Sequence, residues 1–346
     1  MDTTEGKRII NPNAYPIKAL LTRANSALAP ELSTVWKPQP ASIFVTDHET
    51  AHSHLVRGSA GGSFSNRAPS ISPSAILLRR RYQNITSAPY GEHWRAIRHN
   101  LTLEVLHPVR LHRYASARRG ALCGLVVDLA EQRKNRMVHA AESIRYAMTQ
   151  GGIEEGCPTV NSWACAPSFL VLEPTASALQ WIMANLVKRP DIQEAVRREI
   201  DAVVNADADE AGDGRGPCGS HGQRIPVGTK VYFPLAAIAR DSTAWDNPDE
   251  FKPQRFLASK GASEGTDNTI KMMPFSGGRR ICPGSGVAML HLSYFTANLV
   301  REFRWREGEG ELAVDLQLHV EFFTVMKRPL CTHLELRGTE IKTRVN

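Results

Sequence analysis

Long apolar runs are missing from this chain. The longest, Ala121–Ala130 and Val231–Ala239, fall well short of the roughly 20 residues that cross a bilayer. The first residues, Met1–Pro12, are polar and hold neither a signal-peptide core nor an anchor, so the expectation is a soluble or at most peripheral chain. Cysteine is scattered: Cys123, Cys157, Cys165, Cys218, Cys282 and Cys331 form none of the close pairs of a zinc knuckle or a redox dithiol. With no secretory signal before them, reduced thiols are the default rather than a disulfide framework. Acidic residues are absent from Ala51 to Gly91, where Arg57, Arg67 and Arg79–Arg81 all lie. Only Phe64, Tyr82 and Tyr90 interleave aromatics there, which gives base stacking little support and argues against nucleic acid. No internal repeat is present.

What is there has the balance of a globular protein. The 346 residues are 42% hydrophobic and 22% charged, enough for one large domain or two ordinary ones. Basic residues outnumber acidic ones by 42 to 35, for a net charge of +7. That excess suits an acidic protein partner, an anionic surface or simple solvation, and does not choose among them. Ala41–Val45 reads as a strand and Gly58–Ser74 as a loop. Helices are expected from Glu92 to about Val105, from Pro167 to Lys188, onward from Pro190, and from Pro283 to near Phe303. Asn205–Gly222, rich in Asp, Ala and Gly, reads as a connection. Arg224–Phe233 looks like a hairpin, and Leu316–Met326 like strand.

Most of the chemistry is concentrated in Phe275-Ser-Gly-Gly-Arg-Arg-Ile-Cys-Pro-Gly284. Cys282 stands just before a helix N-terminus, where free N–H groups and the helix dipole favour a thiolate. Gly277, Gly278 and Gly284 would let backbone approach a flat macrocycle. Arg280 could meet a carboxylate in a two-pronged geometry, and Phe275 could cover the sulfur. The spacing Phe-x-x-Gly-x-Arg-x-Cys-x-Gly is met at every position. It resembles the signature of the cytochromes P450. Three further segments agree with that resemblance. Trp245–Phe256 looks like the family's meander, with Arg255 as its arginine. Trp94-Arg-Ala-Ile-Arg98 resembles the helix whose Trp and Arg hold the haem propionates. Leu179–Val187 looks like the second half of the oxygen-binding helix of plant microsomal members.

The resemblance implies a mainly α fold with minor β, an α+β cytochrome P450-like fold in one domain over residues 1–346. It would be incomplete, with apparent deletions near 149–166 and 205–222. It implies haem b ligated by Cys282 and contacted by Trp94, Arg98, Phe275, Gly278, Arg280 and Gly284. Glu173 and Thr175 would be the catalytic pair. The implied activity is a monooxygenase inserting one oxygen atom from O2 into an apolar small molecule. Electrons would come from NADPH through NADPH-cytochrome P450 reductase. The family works at the endoplasmic reticulum membrane surface, and a chain truly lacking the anchor would be cytoplasmic.

The chain departs from the family in three places. The Glu-x-x-Arg that pairs with the meander arginine has no counterpart in context: Glu92–Arg95, Glu142–Arg145 and Glu194–Arg197 all lie elsewhere. Arg255 without a carboxylate would be an unpaired buried charge, costing about 3–5 kcal/mol. The roof of the substrate pocket is reduced to Thr149–Ala166. In Leu170-Val-Leu-Glu-Pro-Thr175, Pro174 takes the place of the proton-relaying threonine. A truncated, non-catalytic relative is therefore the alternative. A remoter one is a zinc hydrolase through His48-Glu49-Thr-Ala-His52, whose third ligand is not evident. The P450 alignment makes that segment an early helix with exposed histidines. His107, His112, His139 and His291 read as structural or surface residues, and Cys123 and Cys165 as buried fillers.

Overall fold

Among the described residues, short strands build three small sheets, and patterns that recur each helical turn build most of the rest. The structure, a computed structural model, describes residues 42–56, 64–67, 85–135, 137–150, 166–204, 230–256, 272–308, 310, 313–320 and 324–338. Most of the Gly58–Ser74 loop and the 149–166 linker, all of Asn205–Gly222, the first arm of the Arg224–Phe233 hairpin, and Cys157, Cys165 and Cys218 fall outside them. The chain divides into two compact units. One draws on residues 1–95 and 216–282, the other on 96–215 and 283–346.

In the first unit, β1 (Ser42–Phe44) pairs in parallel with β3 (Lys230–Tyr232), register Ile43↔Val231. The described arm of the expected hairpin thus pairs with a strand nearly two hundred residues earlier; a parallel pair requires such a long crossover. Successive side chains take opposite faces of a strand. Ile43 and Val231 turn inward onto a core of Val45, Ala51, Ile238 and Met273. Phe44 and Tyr232 stack on the open face, centroids 5.1 Å apart.

Helix α1 (His48–Leu55) begins where the Asp47 carboxylate accepts the Thr50 N–H at 2.6 Å, an N-cap that satisfies an otherwise orphaned donor. His48 and His52 are both buried, against the expectation of exposed histidines, while Glu49 faces solvent. The His48 N–H donates to Asp241 Oδ2 at 3.3 Å, and the His48 ring Nδ1 lies 2.9 Å from the same oxygen. Asp241 Oδ1 accepts from the Thr243 N–H and hydroxyl. A ring nitrogen committed to Asp241, with Glu49 turned outward, is a structural clamp and not the arrangement a zinc hydrolase requires.

Arg255 also differs from expectation. It is half-buried, with Nε donating to the Lys252 carbonyl and Nη2 to those of Asn247 and Glu250. Its guanidinium lies 5.4 Å from the Trp245 ring centroid. Among the described residues the meander arginine is thus satisfied by the meander's own backbone, so the expected penalty for an unpaired charge does not arise.

The second unit is mainly helical. Its elements are α2 (Glu92–Asn100, which starts in the first unit), a π-helical turn at Leu101–Val105, α3 (Pro108–Arg113), α4 (Ala115–Gln132), α5 (Ala140–Gln150), α6 (Ala166–Lys188), α7 (Pro190–Val204) and α9 (Ser285–Glu302). A short α8 (Leu235–Ile238) belongs to the first unit. An antiparallel sheet runs β2 (Val138–His139), β7 (Cys331–Leu336), β4 (Phe303–Arg306), and β5 (Leu318–Val320) pairs antiparallel with β6 (Thr324–Met326) in the stretch expected to be strand. Leu129, Ile144, Met148, Leu179, Met183, Phe295, Leu299, Phe303 and Trp305 fill the core, each under 2% exposed. Gln193 sits among them. Its amide donates to the Leu186 and Trp305 carbonyls, and its oxygen accepts from the Trp305 N–H and Arg337. Glu194 pairs with Arg337 at 2.9 Å and Arg197 with Asp201, so this Glu-x-x-Arg serves the second unit internally.

Candidate functional site

The loop before α9 is built by three backbone devices. Ser276 and Gly278 both take left-handed conformations, at φ 64° and 69°. The Cys282 N–H donates to the Phe275 carbonyl at 2.9 Å, and the Ile281 N–H to the Gly278 carbonyl at 3.1 Å. The loop therefore closes on itself and carries Cys282 as a half-buried free thiol. Among the described residues no hydrogen bond reaches its sulfur. Phe275, at the other end of the closure, is half-buried.

Glycine at 278 serves the protein first. A Cβ built there would stand 2.0 Å from the Leu55 carbonyl oxygen at the end of α1, and one at Gly277 would meet Met273 Sδ and Val56 Cγ2 at 3.1 Å. The sequence suggests room for a macrocycle; at Gly278 the close neighbour is backbone. Gly284 is the buried N-cap of α9.

Trp94 and Arg280 come together in the first unit. The Arg280 guanidinium lies 4.4 Å from the Trp94 ring centroid. Its Nε donates to the Ser65 carbonyl at 2.7 Å, Nη1 to Ile85 at 3.1 Å and Nη2 to Ala88 at 2.6 Å. The Trp94 indole N–H also donates to Ile85 O, at 2.9 Å. Tyr90 adds a second aromatic layer, with its ring 5.5 Å from Trp94 and the guanidinium of Arg279 5.3 Å from its centroid. The carbonyls of Ser65, Ile85 and Ala88 were not foreseeable from sequence, since a backbone acceptor has no residue signature.

The other candidates belong to the second unit. Arg98 is half-buried, one turn along α2 from Trp94. Glu173 is half-buried and Thr175 buried on α6, which runs through Pro174 without interruption. Burial in this unit also tunes two groups remote from Cys282. Desolvation pushes His291 down and Cys331 up, the latter helped by the nearby Glu142 charge.

Comparison with known proteins converges on one family. The family model for cytochrome P450 matches residues 172–213 and 217–329, a span that contains the whole Cys282 loop. Over that span the chain is similar to the cytochromes P450. Cytochrome P450 89A9 of Arabidopsis thaliana is 27% identical over 83% of this chain and 83% of its own length. Cytochrome P450 78A9 of the same plant is 33% identical over 48% of this chain, and strychnine-11-hydroxylase of Strychnos nux-vomica 31% identical over 46%. The chain spans only 37% of the length of each of these two. A zebra fish cytochrome P450 solved with abiraterone has a TM-score of 0.66, covering 93% of this chain and 99% of that one at 16% identity, which is a likeness of fold. The relatives agree with the plant character of the chain and with a mainly helical P450 fold. The family's cofactor is haem and its reaction class is monooxygenation. No helix among the described residues is long and apolar enough to cross a membrane.

As a P450 site, the residues fit the axial-ligand role well. A sulfur with no hydrogen bond from the described residues, on a loop closed by its own backbone, matches the donor that haem iron takes from this family.

Proposed function

We propose that this chain binds haem b through the Cys282 thiolate and acts as a P450 monooxygenase on an apolar small molecule, with electrons from NADPH through a reductase at the endoplasmic reticulum surface. The observation that carries the reading is the free Cys282 thiol on its closed loop, within the complete Phe275–Gly284 signature. When bound, the haem would supply oxygen activation, favoured by electron donation from the thiolate. The chain's own residues do the rest. Phe275 shields the sulfur from water, Gly278 and Gly284 set the path of the loop, and Trp94 and Arg98 would contact the haem. Glu173 and Thr175 on α6 supply the carboxylate and hydroxyl for proton delivery.

Pro174 favours a second reading, a haem protein without productive turnover. Proline lacks both the hydroxyl and the N–H, and Thr175 is buried one position further along α6. The reduced carbon-monoxide difference spectrum of the haem-supplemented chain tests the first reading, with Cys282→Ala as control. A band near 450 nm, lost in the variant, supports thiolate ligation; a band near 420 nm in both chains, or no haem uptake, refutes it (the ~30 nm separation distinguishes the two axial ligations). Peroxide released per NADPH consumed in the presence of reductase then separates turnover from uncoupling.

A further inference from the structure

Resting on the haem-thiolate reading only in its final experimental arm, we infer that Arg280 is the latch that holds the Cys282 loop closed in the haem-free chain, and is not a propionate ligand. All five guanidinium N–H bonds lie in one plane in a fixed fork. Here each of the three nitrogens donates to a backbone carbonyl, of Ser65, Ile85 and Ala88, at 2.7, 3.1 and 2.6 Å. The face of the fork is taken by Trp94 at 4.4 Å. Two of those carbonyls belong to residues buried to 4% and 1% exposure. They lie outside any helix or strand, so they need a donor from elsewhere in the protein.

Turning the fork toward a carboxylate would take it from these carbonyls, and the charge gained would be offset by buried acceptors left unpaired. Trp94 is committed in the same way, since its indole N–H shares the Ile85 carbonyl with Arg280. Arg280 therefore ties the 278–280 turn to the 64–67 and 85–88 segments, while Gly278 presses the same turn against Leu55. The Cys282 N–H bond to Phe275 closes the loop within itself; the guanidinium holds the closed loop in place. Arg279, the neighbouring arginine, exposed and set over Tyr90, provides the control.

Residue-resolved alkylation of the haem-free chain, read by peptide mass spectrometry, tests the latch. In Arg280→Met the Cys282 thiol should alkylate at least about tenfold faster than in wild type, as expected from losing charge-assisted hydrogen bonds. Cys331 in the other unit, and Cys282 in Arg279→Met, should keep their wild-type rates. If Arg280→Met also exposes Cys331 and so has unfolded, Arg280→Lys decides: it retains the charge but lacks the fork. Acceleration confined to Cys282 supports the latch, and a wild-type rate overturns it.

The final arm compares binding of haem with that of its propionate dimethyl ester. The latch requires esterification to cost wild type and Arg280→Lys the same affinity, within about twofold. A cost that vanishes in the variant assigns a propionate to Arg280 and overturns the inference. Failure of every form to bind haem sinks the haem-thiolate proposal while leaving the alkylation result to decide the latch.

Discussion

Replacing Gly278 by alanine places a methyl group where the fold has committed the space twice. The backbone there has φ 69°, and a residue with a Cβ pays about 1–2 kcal/mol to hold that left-handed conformation. The new Cβ would also lie 2.0 Å from the Leu55 carbonyl oxygen and 3.0 Å from its carbon. That neighbour is backbone at the end of α1 and cannot rotate aside. Retreat would drag Leu55 off the core it shares with Met273 and Ala51, an overpacking cost of about 1–3 kcal/mol. The sum, about 2–5 kcal/mol, is a large share of the stability of a domain. Gly124, inside α4, has nothing within 4 Å of its would-be Cβ; alanine there should instead stabilise by about 0.5–1 kcal/mol. Urea unfolding midpoints of the two variants should move in opposite directions. A Gly278→Ala chain as stable as wild type, with an unchanged m-value, refutes the close approach on which the loop's placement depends.

Other positions give equally direct tests. Gln193→Leu leaves the Leu186 and Trp305 carbonyls and the Trp305 N–H without their partner, and should cost about 2–4 kcal/mol by thermal or urea denaturation. Arg255→Met should cost about 1–3 kcal/mol, because it strips donors from three meander carbonyls; a neutral or stabilising result would show those bonds contribute nothing. Burial raises the Asp241 carboxyl, but hydrogen bonds from Thr243 and His48 outweigh it and hold the group well below the usual carboxylate range. Its folded pKa is therefore depressed, so its stabilisation is complete above the unfolded value near 3.8 and is lost as pH falls below that. The stability gap between wild type and Asp241→Asn should be constant from neutral pH down to about 5 and close progressively under about 4. A gap that instead closes between pH 7 and 5 would overturn this account.

Much of the fold was legible because its signals are local. Pro190 and the apolar spacing behind it start α7, the run from Pro167 to Lys188 gives α6, and the stretch after Pro283 gives α9, each within two residues of the expected limits. Helix α4 was not read as one: Ala121–Ala130 lies within it, but Gly120 and Gly124 interrupt the pattern that periodicity relies on. Helices α3 and α5 went unread as well, between short polar turns. The β1–β3 pairing was hidden because parallel strands find each other across a long crossover, and alternation within each strand says nothing of its partner.

The candidate site divides in the same manner. Sequence alone singled out Cys282, its glycines and its arginine, because the signature that holds them is written in consecutive residues. Tertiary structure decided what those side chains touch. It buried His48 against Asp241, gave Arg255 the carbonyls of its own meander, and spent the Arg280 fork on Ser65, Ile85 and Ala88. Such acceptors belong to the backbone, which is the same at every residue, so only folding can say which of them a buried cation will meet.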